Sequence, residues 1–79
     1  MDSPFFFEST TYWSEGDERA HFDWIRRIDC VHDVKGRGTQ LFLSINRESV
    51  TDFDRRELHA LYRRYGGDLN QLKALDASD

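Results

Sequence analysis

Apolar and polar positions divide the chain into six elements. Residues 5–13, FFFESTTYW, are aromatic or β-branched at most positions and lie between Pro4 and Ser14, which reads as a strand. Phe5, Phe7, Ser9, Thr11 and Trp13 fall on one face of it, and Phe6, Glu8, Thr10 and Tyr12 on the other. Neither set is wholly apolar, so the pattern does not choose the core face. After Ser14 the period changes. Ala20, His21, Trp24, Ile25 and Ile28 recur at helical spacing and form one stripe, with Phe22 off it. Ser14 offers an N-cap oxygen, and Glu15, Asp17 and Glu18 put acids in the first turn, where the helix dipole favours them.

The stretch CVHDVKGRGTQLFLSI, from Cys30 to Ile45, reads as a hairpin. Gly36-Arg37-Gly38 permits positive φ at its tip, as a type II′ or a bulged three-residue turn requires. Leu41, Leu43 and Ile45 alternate with Gln40, Phe42 and Ser44, so one row faces a core. Val31 and Val34 cannot share a face in plain alternation, which implies a bulge or burial on both faces. Thr51 or Asp52 then caps a helix whose stripe is Leu58, Leu61, Tyr62 and Tyr65, with Gly66 as its natural stop. Asp68 caps a short third helix, with Gln71 three residues on and Leu69, Leu72 and Leu75 as anchors. The tail, DASD, is expected to fray.

The expected fold class is α+β, in the order strand, helix, strand, strand, helix, helix. A three-stranded sheet carries its helices packed on one face. A right-handed crossover sets the first strand parallel to the second, with the third strand inserted between them (order 2-3-1). The alternative order is 1-2-3. All 79 residues form a single small domain.

Charge and composition narrow the function. There are 11 basic and 15 acidic residues, net −4, with the acidic excess in the first part. Phosphate contact relies on Lys and Arg, so nucleic acid is not the partner this balance favours. The one cysteine cannot close an internal disulfide, and MDSPFFF is too short an apolar run for a signal peptide or a membrane span. A reduced, cytoplasmic setting is therefore expected. Cys30, His32, His21 and His59 match no common zinc spacing, and no base is specified for a thiol nucleophile. Gly36-Arg37-Gly38 lacks the spacing of a phosphate loop. No metal, cofactor or catalytic set is expected.

Arg55, Arg56, His59 and Arg63 form a basic stripe opposite the apolar one on the long helix. A solvated face with intrahelical pairs such as Asp52 to Arg56 accounts for it without a ligand. Residues 57–75, ELHALYRRYGGDLNQLKAL, are similar to the helix-turn-helix units of DNA-binding proteins, which would make Asn70, Gln71 and Lys73 the reading residues. The succession of aromatic strand, EGDE helix start, CV strand, GRG hairpin and YGGDLNQL ending resembles small bacterial α+β proteins, and that resemblance implies no activity. The expectation from the residues is a small acidic protein-binding module of the inhibitor or immunity type. Its partner-binding candidates are Glu15, Asp17 and Glu18, which would steer a basic protein. A second candidate surface is an aromatic sheet face of Phe6, Tyr12 and Phe42, through which a homodimer would form. The alternative is a DNA-binding regulator using residues 57–75.

Overall fold

The computed structural model describes residues 3–76, with the backbone alone at Asp76, so residues 77–79 of the tail lie outside the described residues. The elements are β1 (Phe5–Glu8), α1 (Glu15–Arg27), β2 (Val31–Arg37), β3 (Gln40–Ile45), α2 (Asp52–Tyr65) and α3 (Lys73–Asp76), with 3₁₀ turns at Arg47–Ser49 and Leu69–Leu72. The sheet order is β1-β3-β2, and both neighbouring pairs are antiparallel. β1 therefore runs parallel to β2 with β3 inserted between them, the expected order. The fold is α+β.

The hairpin turns through Gly38-Thr39, because Arg37 pairs with Gln40. Only Gly38 of that turn has positive φ (61°), which is the demand of a type II′ turn at its first central residue. Arg37 thus ends a strand instead of sitting at the tip. A register shift between Val31 and Asp33 supplies the bulge. It brings Val31 opposite Ile45 and Val34 opposite Leu43, so both valines join the inner face.

β1 is shorter than the expected 5–13. Ser9 adopts φ 54° and donates its N–H to Thr39 O at 2.8 Å, which ends the strand after Glu8. Phe5 and Phe7 point into the core with Leu41 and Leu43. α1 contacts β2, and α2 lays Tyr62 on Phe7 at 4.5 Å between ring centroids. Contacts of Asp17 with Tyr65 and of Trp24 with Glu57 show that α1 and α2 run antiparallel. The core joins Ile25, Ile28, Leu58, Leu61, Leu72 and Leu75 to these strands, while Ala20, expected in the α1 stripe, is exposed.

Thr51 caps α2 through a full capping box with Asp54, and Gly66 terminates the helix. Gly67 lies against the core, where a Cβ would fall 2.5 Å from the Tyr62 ring and 2.8 Å from Phe7. The segment after it departs from the expected helix. Leu69–Leu72 is a 3₁₀ turn followed by a single α turn, and Leu69 is exposed. Gln71 does not close a capping box. Its Oε1 accepts from Phe6 N at 2.8 Å and from Tyr62 Oη at 3.0 Å, tying the C-terminal segment to the outer edge of β1.

Candidate protein-binding surfaces

Trp13 is 86% exposed, and Phe53 is 67% exposed on the first turn of α2. Among the described residues these are the most exposed large apolar side chains. Strand alternation places Trp13 on a face with Phe5 and Phe7. Ser9 breaks that alternation, and residues 9–14 leave the sheet. Trp13 then meets the start of α1, where its backbone N–H donates to Asp17 Oδ2 at 3.2 Å. Ser14 Oγ accepts from Asp17 N at 3.1 Å, so the cap expected at Ser14 also sets the position of Trp13. The side chain is displayed from a backbone held by these bonds and is left largely uncovered by the other described residues.

The three acids of α1 separate into two roles. Glu15 and Glu18 are exposed. Asp17 is mostly buried: its Oδ1 accepts from Tyr65 Oη at 3.3 Å and lies 3.6 Å from Arg64 Nη2. It binds α1 to α2 and is not a free charge for a partner. Glu18 and Phe22 line two neighbouring hollows, one with Tyr12 and the hairpin end and one along α1 with Glu15 and Arg19.

The expected aromatic sheet face is reduced to two residues. Phe6 and Phe42 pair across β1 and β3 with centroids 5.4 Å apart, and both are half-buried. Tyr12 is not with them. It lies beyond the strand, with Oη 2.6 Å from His21 Nδ1. His21 is fully buried, stacked on Tyr65 at 3.9 Å and edge-on to Phe7 at 4.6 Å. Burial lowers His21 to a pKa of about 4, against a smaller opposing pull from Asp17. Whichever tautomer is present, Nδ1 engages Tyr12, and Nε2 has no hydrogen-bond partner among the described residues. Burial likewise raises the phenols of Tyr12, Tyr62 and Tyr65.

Cys30 is buried beside α2. Burial, and then the carboxylate of Asp54, push its thiol up to about 11. His21, Cys30 and these three tyrosines are thus uncharged at neutral pH. No group of three or more His, Cys, Asp or Glu side chains among the described residues is arranged to hold a metal ion.

Arg55, Arg56, His59 and Arg63 do come together. With Asp52 and Ala60 they line a shallow groove of about 690 Å³ along α2. The ion pair Asp52 makes here is with Arg55, at 2.9 Å and spaced i,i+3, in place of the expected Asp52–Arg56 pair. No helix among the described residues is long and apolar enough to cross a membrane. Comparison with family models, curated proteins and solved structures returns no match.

Proposed function

We propose that this chain is a small non-enzymatic protein-binding module that presents Trp13, Glu15 and Glu18 to a basic partner protein, as an inhibitor or immunity-type protein would. The observation that carries this reading is the 86% exposure of Trp13 on a backbone held by Asp17. Tryptophan is among the residues most enriched at binding hot spots, and an uncovered ring in a fixed position is pre-organised for a pocket on a partner. Glu15 and Glu18 beside it supply steering, which raises association rates with a basic surface and fades as salt rises. The proposed setting is the cytoplasm.

The test is affinity capture from host extract with wild type, Trp13→Ala and Glu15→Lys/Glu18→Lys as baits, followed by association kinetics with the captured protein. A basic protein held by wild type, lost by Trp13→Ala and slowed by the charge reversal supports the reading. Equal capture by all three baits overturns it.

A second reading, binding of an anionic partner such as DNA, is favoured by the arginine-lined groove on α2. Against it, residues 69–76 form a 3₁₀ turn and one α turn whose Leu72 and Leu75 are buried, a segment too short to lie along a major groove as a reading helix. Loss of DNA binding with a steep salt slope in an Arg56→Glu/Arg63→Glu variant would favour this second reading.

A further inference from the structure

The two outer edges of the sheet are finished differently. On β1, the outward N–H of Phe6 is taken by the side chain of Gln71. On β2, Arg37 and Gln40 flank a two-residue turn, so Arg37, Lys35 and Asp33 direct their backbone groups to β3. Val34 and Gly36 therefore direct theirs outward, and no hydrogen bond from another described residue meets those two N–H groups. Beside this edge a groove of about 220 Å³ opens between α1 and β2, lined by Ile25, Arg26, Val31, His32, Asp33 and Val34.

We propose that β2 pairs antiparallel with β2 of a second copy about a two-fold axis at Val34, giving a continuous six-stranded sheet. The choice of occupant comes from charge order along the strand. Asp33 and Lys35 flank Val34 on the outer face and are both exposed. In a register centred on Val34, each Asp33 stands directly opposite Lys35 of the second copy, twice per dimer. These are non-hydrogen-bonded positions, where side chains approach most closely. The two Val34 side chains meet on the inner face, at the groove containing Ile25 and Val31. Lysine on an edge strand ordinarily guards against pairing. Here its charge is answered by the partner strand, and the experiment separates these two roles.

Sedimentation equilibrium of the whole chain across a concentration series should show a reversible monomer–dimer equilibrium. Val34→Pro removes an outward donor and no β2–β3 bond, so it should stay folded and monomeric. Lys35→Asp sets two acids against two acids and should weaken dimerisation on the order of tenfold. Asp33→Lys/Lys35→Asp exchanges the charges and should restore it, which holds as a test even if the proline variant misfolds. A wild type that is monomeric throughout overturns the proposal. So does a dimer indifferent to Lys35→Asp, or one lost with Phe42→Ser but kept in Val34→Pro, which would place the contact on the Phe6–Phe42 face.

Discussion

Tyr12 and Trp13 are adjacent in the chain, and the fold treats them in opposite ways. Tyr12 turns inward to His21, within a cluster that includes Phe7, Tyr65 and, through Tyr65, Asp17. Trp13 turns outward and is 86% exposed. The first region holds every feature that a search for chemistry would stop at: a histidine with a displaced pKa, a short hydrogen bond, stacked rings and a carboxylate. Packing accounts for nearly all of it, because His21 is fully buried and two antiparallel helices must be locked over the strands. The second region has no unusual chemistry, and its large apolar surface is left open by the other described residues. The proposed binding role rests on that exposure and not on the buried cluster.

This contrast makes predictions of graded size. Substitution Leu43→Asp buries an unpaired charge in the central strand at a site with no solvent exposure. It should cost more than about 4 kcal/mol and abolish the cooperative melt of so small a domain, as followed by circular dichroism. A near-native melt would mean that the Leu41–Leu43 row does not face the core.

The next effect is acid sensitivity. In the unfolded chain His21 titrates near 6.5, and in the fold near 4. The unfolded state therefore binds the extra proton. His21 contributes its stability fully above about pH 6.5 and loses it as the pH falls toward about 4. That loss approaches about 3 kcal/mol. Denaturant unfolding measured across this window should give a slope that His21→Phe flattens. Equal slopes in both proteins would show that His21 is not held neutral by the cluster.

A smaller effect follows from the close approach at Gly67. Its Cβ position is already occupied by the edges of Tyr62 and Phe7, which are core rings with little room to move. Gly67→Ala should lower stability by about 1–3 kcal/mol, read from the denaturation midpoint, while the surface around Trp13 keeps its binding.

The sheet was legible in the sequence wherever side-chain alternation and turn chemistry agreed. The Leu41, Leu43 and Ile45 row sets one strand, the spacing of Val31 and Val34 implies a bulge or burial on both faces, of which the bulge is present, and of the two expected strand orders the one with β3 inserted is observed. α2 was legible to its last residue because cap, stripe and terminal glycine all coincide. The errors share a cause, which is that local pattern does not reveal long-range partners. FFFESTTYW keeps its β propensity through Trp13, but the strand can pair only while β3 lies beside it, and β3 begins at Gln40, opposite Glu8. Gln71 looked like a capping residue and is instead used 65 positions away at Phe6. Asp17 looked like a twin of Glu15 and Glu18 until Tyr65 and Arg64 were brought to it. Because β1 ends at Glu8, the β-pattern that places Trp13 on a strand face does not reveal it as a surface residue.

The most direct test of the account is a paired measurement on Trp13→Ala. Its unfolding free energy should lie within about 0.5 kcal/mol of wild type, because the side chain is 86% exposed. Its affinity for the protein captured by wild type should fall by about 2 kcal/mol or more, roughly thirtyfold, as expected when a hot-spot tryptophan is truncated. Unchanged affinity, or a loss of stability as large as the loss of binding, would contradict the claim that Trp13 is displayed for a partner.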